Sequence, residues 1–230
     1  MAKIKPAPEP NRGFVRYLDQ RLKKEFGDRV PPEKRPDPLD TLILTVLSQH
    51  TNDRNRDRAF AELKRRFASW ERVTASPPQE IEDAIRVGGL ARQKSERIKE
   101  MLEEIQRREG KLELGRLCSL AVSEAREYLL SFKGVGEKTA ALVMLFCCGL
   151  PAFPVDTHIL RVTKRLGLIP EQTTADQAHR RLEALVPEPA YYRFHLNLIE
   201  LGRHFCKARK PDCVGCCLNA KCPKAFRIKP

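Results

Sequence analysis

Apolar residues recur at three- and four-residue spacing along most of the chain, the period of helices with one buried face. Phe14, Leu18, Leu22 and Phe26 fall four apart and Gly27 follows, which predicts an amphipathic helix with a glycine stop. Val30 to Pro38 (VPPEKRPDP) holds too many prolines for a helix and reads as a linker. Leu39 to about Gln49 is apolar nearly all round, predicting a buried helix, and Asp53–Phe67 puts Phe60, Leu63 and Phe67 on one face. Ser76 and Pro77 predict an N-cap and a proline at the first helical position. They open a helix through Ile81 and Ile85 that stops at Gly88 and Gly89. Leu90–Arg108 aligns Ile98, Leu102 and Ile105 and ends at Gly110. A turn around Leu117–Val122 leads to Ser123, placed to cap Glu124–Phe132, and a further helix runs from about Glu137 to Cys148. In the last third, Asp156 is placed to cap a helix through Leu160 and Leu166, and Thr174 another through Leu182 and Leu185. Pro189 to about His204 carries Tyr192, Leu196 and Ile199. No alternating strand pattern or long repeat interrupts this, so the pattern predicts an all-α protein of about ten short helices.

Composition narrows the partners. The chain has 230 residues with 41% hydrophobic content, enough for a globular core. Residues 1–11, rich in proline, predict a loose tail without the apolar segment of a signal peptide. With no run resembling a membrane span, a cytoplasmic, nucleoid-associated protein with no membrane partner is expected. The 43 Lys and Arg against 30 Asp and Glu give a net charge of +13, an excess that favours polyanions, nucleic acid first.

Eight cysteines are many for a reducing compartment, where disulfides are disfavoured and clustered thiols point to metal. Cys118, Cys147 and Cys148 sit in apolar company and read as core. Cys206, Cys213, Cys216, Cys217 and Cys222 crowd the C-terminal region. The spacing Cys206-x6-Cys213-x2-Cys216-x5-Cys222 suits four thiolates around zinc or an iron–sulfur cluster, with Cys217 as a bystander. Arg203, Lys207, Arg209, Lys210, Lys221 and Lys224 surround it, some to offset thiolate charge and some to face phosphates.

One stretch carries the most chemistry. Lys133-Gly134-Val135-Gly136 joins two helices, and glycines there let the backbone turn sharply and approach a phosphate. Amides at the start of the following helix favour an anion, so this hairpin suits the DNA backbone without reading sequence. Lys138 and Thr139 follow directly, and Val155-Asp156-Thr157-His158 lies further on. On these residues alone, Lys138 is either a nucleophile or a phosphate contact, and Asp156 either a catalytic carboxylate or a helix cap.

The GVGEKTA and VDTH motifs together with the cysteine spacing resemble the endonuclease III family of DNA glycosylases, over about Leu39 to Cys222. The resemblance implies two all-α lobes with DNA in the cleft between them. Residues 36–150 would form a six-helix lobe with the helix-hairpin-helix. Residues 1–35 would pack with 151–230 in a lobe holding a 4Fe-4S cluster on Cys206, Cys213, Cys216 and Cys222. It also implies Lys138 as nucleophile and Asp156 as its carboxylate partner in a bifunctional glycosylase and abasic-site lyase for damaged pyrimidines, acting as a monomer on double-stranded DNA. A monofunctional uracil, thymine or adenine mismatch glycosylase, or a non-catalytic DNA-binding iron–sulfur protein, is the alternative; Lys138 argues against the monofunctional branches.

The chemistry is consistent with those roles. Breaking an N-glycosidic bond builds positive charge on the sugar, which a carboxylate stabilises. An amine that attacks C1′ forms a Schiff base, which sets up β-elimination of the neighbouring phosphate. An enzyme acting on a duplex base must also extrude it and fill the gap. The resemblance places the fillers at Gln49 or His50, after Leu47 and Ser48, and at Leu90 after Gly88 and Gly89; His50 stands where the family often has glutamine. Leu90 also reads simply as the first apolar residue of a helix. His158 is a further candidate for a phosphate or base contact. Lys133 replaces a proline common in the family and could add a phosphate contact beside Gly134, Val135, Gly136 and Thr139.

Overall fold

A computed structural model describes residues 12–227; the tail expected at residues 1–11 lies outside them. Among the described residues there are eleven α-helices and no strand: α1 (Arg12–Phe26), α2 (Pro38–Ser48), α3 (Asp53–Arg66), α4 (Trp70–Ala75), α5 (Pro78–Ile85), α6 (Ala91–Glu109), α7 (Val122–Leu130), α8 (Glu137–Leu142), α9 (Thr157–Arg165), α10 (Ala175–Leu185) and α11 (Tyr191–His204). The protein is all-α, and no described helix is long and apolar enough to cross a membrane. The chain divides into two compact units. One is Lys34–Leu150; the other joins the described parts of Met1–Glu33 and Pro151–Pro230.

The contiguous unit holds α2 to α8. Its core is the row Leu42, Ile43, Val46 and Leu47 of α2 against Leu63, Ile81, Ile85, Ile98 and Leu102, all at most 1% exposed. Asp37 caps α2 by accepting from the Asp40 amide, with Pro38 at the first helical position. Asp40 in turn accepts from Trp70 Nε1 at 2.9 Å and Lys64 Nζ at 3.1 Å, and Lys64 lies over the Trp70 ring, so one carboxylate ties α2, α3 and α4.

Several local expectations shift here. The unit has seven α-helices rather than six, because α4 was not foreseen; six residues with two buried side chains are too short for a periodic signal. Ser76 does not cap α5. It closes α4, its amide bonding Arg72 and Val73 carbonyls, and Pro77 takes the cap position. Ser123 lies inside α7, which Ala121 opens while Glu124 accepts from the Ala121 amide. The helix begun as α8 continues as a π-helical segment, Val143–Cys148. Arg35, from the presumed linker, donates to the Leu145 and Phe146 carbonyls there at 3.0 and 3.2 Å. Cys118 and Cys148 are only half-buried and form a disulfide, with Cα atoms 4.6 Å apart, instead of resting reduced in the core. Cys147 alone of the three is a buried thiol, and burial pushes its pKa up.

The second unit is assembled from distant stretches. Phe14, Val15, Leu18 and Leu22 bury one face of α1. Arg193 of α11 donates to Asp19 at 2.6 and 3.0 Å and to Asp28 at 2.9 Å, and Asn197 donates to the Gly27 carbonyl. Phe153 packs edge-on to Tyr191 and against Phe194, all at most 3% exposed. Thr174 caps α10 in a reciprocal pair with Gln177.

Candidate active site

In the contiguous unit the glycine turn between α7 and α8 is formed as expected. Val135 is buried, its amide bonded to the Phe132 carbonyl, and Gly134 sits at φ 83°, in the left-handed region. A side chain at Gly134 would collide with Arg97, since a Cβ there would lie 2.7 Å from Arg97 Nε. Gly136 is exposed and opens α8 with no side-chain cap, leaving the first amides of the helix without intrahelical acceptors. Lys138, the second residue of α8, is exposed, and Thr139 is half-buried. Glu137 pairs with Arg126 at 2.7 Å, both mostly buried, which ties α7 to α8 beside Lys138. Lys133 is exposed and pairs with Glu100 at 3.0 Å.

Two further turns of this unit lie side by side. Gln49 closes α2, and His50 after it is exposed at φ 52°; Leu90 is 50% exposed at φ 49°. Left-handed backbone at two non-glycine residues, one with a branched apolar side chain, is unusual and stays in place only if the surroundings hold it. A Cβ on Gly89 would lie 4.0 Å from the His50 carbonyl, so the two turns meet backbone to backbone. Gln49 accepts from Arg97 at 2.6 Å and reaches the Gly134 carbonyl at 3.4 Å, so the structure brings Gln49, His50, Leu90 and the hairpin together within one unit.

Asp156 belongs to the other unit. It caps α9, with its Oδ1 accepting from the Ile159 amide at 2.7 Å. The chain leading to it is fixed by buried histidines: His179 bonds the Phe153 carbonyl at 3.0 Å and His195 the Pro154 carbonyl at 2.9 Å. Half-buried His158 packs its Cβ against the Gly202 backbone, and its Nδ1 lies 3.1 Å from Arg161.

Arg161 and Arg165 were not foreseen. Arg161 donates to the Cys206 carbonyl at 2.9 Å and the Gly202 carbonyl at 2.9 Å. Arg165 donates to the Lys207 carbonyl at 2.6 Å and approaches Cys206 Sγ at 3.4 Å. Burial holds Arg161 below the usual guanidinium range. Their spacing on α9 was a signal, for arginines four apart share a helix face.

Cys206, Cys213, Cys216 and Cys222 line one cavity with Val162, Leu166, Leu201 and Leu218. Burial pushes the Cys216 and Cys222 thiols up, with neighbouring thiols adding to the shift. Four thiols lining one cavity, its apolar walls and an arginine on one sulfur suit a group that is bound as thiolates. Among the described residues no three His, Cys, Asp or Glu side chains converge tightly enough for a single ion. Cys217 is half-buried and does not line the cavity; its carbonyl accepts from Arg21, and burial raises its thiol to about 11.

Residues 43–188 match the HhH-GPD superfamily of base excision DNA repair proteins, and the chain belongs to that family of DNA glycosylases. Within it, the chain is 34% identical over 204 residues to endonuclease III of Thermotoga maritima, covering 88% of this chain and 91% of that one. An Arabidopsis thaliana protein described as a DNA glycosylase is 36% identical over 192 residues, 84% of this chain, but the match spans only 63% of the plant protein. The fold is similar to that of an endonuclease III in a non-covalent complex with DNA, with a TM-score of 0.82, 28% identity and coverage of 94% of this chain and 97% of that one.

Proposed function

We propose that this chain is a bifunctional DNA N-glycosylase and abasic-site lyase that removes oxidised pyrimidines from duplex DNA as a monomer. The observation that carries the reading is Lys138, an exposed amine directly after an uncapped glycine hairpin in a member of this family.

In this reading the hairpin amides take a backbone phosphate, as a helix start favours an anion. The His50 and Leu90 turns fill the space that the flipped base leaves. As the bond between base and sugar breaks, its electron pair leaves with the base, and Asp156 stabilises the cationic sugar. The neutral Lys138 amine bonds to C1′, and loss of a proton and ring opening yield the Schiff base. Removal of a C2′ proton then expels the 3′ phosphate and cuts the strand. Cys206, Cys213, Cys216 and Cys222 would hold a 4Fe-4S cluster, which when bound cross-links a short loop that has little core of its own. Absorbance near roughly 400 nm in the purified protein tests this, and a colourless protein carrying stoichiometric zinc would overturn it.

Borohydride trapping on abasic-site duplex tests the lyase. Wild type should form a covalent adduct, and Lys138→Ala should lose it by about a thousandfold or more. An undiminished adduct from Lys138→Ala excludes that residue as the amine. Asp156→Asn keeps an oxygen for the Ile159 amide, so it should lose base excision while keeping its fold and DNA affinity. Loss of folding in that variant would make Asp156 only a cap.

A further inference from the structure

Lys94 is an amine buried in the protein interior, 3% exposed, and its hydrogen bonds go to backbone carbonyls rather than to a carboxylate. Its Nζ donates to the Leu47 carbonyl at 2.8 Å and to the Gly88 carbonyl at 2.8 Å. The first acceptor lies in the last turn of α2, where carbonyls lack intrahelical partners and a cation is favoured. The second ends the 3₁₀ turn Arg86–Gly88, just before Leu90. One side chain therefore satisfies the carbonyl before the His50 turn and the carbonyl before the Leu90 turn. Burial lowers the pKa of Lys94.

Arg97, three residues on along α6, extends the tie. It donates to Gln49 Oε1 at 2.6 Å, and its guanidinium lies so close to Gly134 that a Cβ there would come within 2.7 Å of its Nε and force it to shift. Both His50 and Leu90 hold left-handed backbone that relaxes unless something fixes it. We propose that Lys94, assisted by Arg97, is a positioning residue for duplex opening, which holds the His50 and Leu90 turns at a fixed separation so that they enter the DNA as one body. This rests on the base-flipping reading above.

The test uses the full, cluster-loaded chain. The opening probe is a duplex with 2-aminopurine beside a tetrahydrofuran abasic analogue, whose fluorescence rises as the stack opens. The chemical probe is borohydride trapping on a natural, aldehyde-bearing abasic site at the same position, in duplex and in single-stranded DNA, which needs no opening. Lys94→Met should slow the fluorescence rise by about tenfold to a hundredfold and lower the duplex-to-single-strand trapping ratio by a similar factor. Arg97→Gln, at a half-buried position, should show the same imbalance more weakly, and serves where Lys94→Met fails to fold. Opening at the wild-type rate in a folded variant overturns the proposal, as does an equal fall of both trapping rates. A wild-type protein that neither opens the duplex nor traps would instead overturn the flipping reading itself.

Discussion

In Lys34–Leu150, the side chains that link the three turns come from one helix: Lys94 and Arg97 of α6 reach the Gln49–His50 turn, the Gly88–Leu90 turn and the hairpin. In the other unit, Asp156 is held from several directions. His179 and His195 bind the carbonyls before it, and Arg161 and Arg165 bind its helix to the cysteine loop. One unit organises its turns around a single rigid rod. The other depends on stretches that meet only when the whole unit is assembled, so its candidate carboxylate is sensitive to damage far away in sequence.

That contrast can be broken by removing a thiol. Cys216→Ala should abolish absorbance near roughly 400 nm and destabilise the discontinuous unit by more than about 4 kcal/mol, the scale of losing a structural metal group. Hydrogen exchange should then accelerate in α9 and α11 and stay slow in α2 and α6; equal acceleration in both would erase the distinction. A smaller effect is expected at the ion pairs between α1 and α11. Arg193→Ala, at side chains 22% and 15% exposed, should cost about 1–3 kcal/mol by denaturant unfolding and loosen α1 first. The smallest concerns Glu104, whose carboxyl the neighbouring Arg107 and then Arg108 hold down at about 2. Its folded pKa lies below the ordinary 4.5, so its contribution is complete above pH 4.5 and disappears as pH falls through 2. Glu104→Gln should flatten the acid limb of the contiguous unit slightly; an unchanged acid profile would show that this exposed cluster contributes nothing.

Features that depend on neighbours in sequence were legible. The Asp156 and Thr174 caps, the Gly134 turn and the α1 stripe followed from local spacing. Ser76 and Ser123 misled because a serine near a helix end suits either side, and the hydrogen bonds choose. The π segment and the Cys118–Cys148 bridge depend on residues distant in sequence, Arg35 for one and the 115–119 turn for the other. Lys94 was visible in principle, for it stands four residues before Ile98 on the buried stripe of α6, where a lysine must find acceptors. Which carbonyls it meets could not be read from the stripe.

The pairing of α1 with α11 has a consequence for synthesis. Asp19 and Arg193 are 174 residues apart. At a translation rate of roughly 5–20 residues per second, α1 waits on the order of ten to thirty seconds before its partner emerges. During that interval Phe14, Leu18 and Leu22 have no native surface to cover them, while the contiguous unit can already fold. A nascent chain halted before α11 would therefore present a sticky amphipathic helix beside a finished unit, which makes the ribosome-bound stage the moment at which this protein most needs a chaperone.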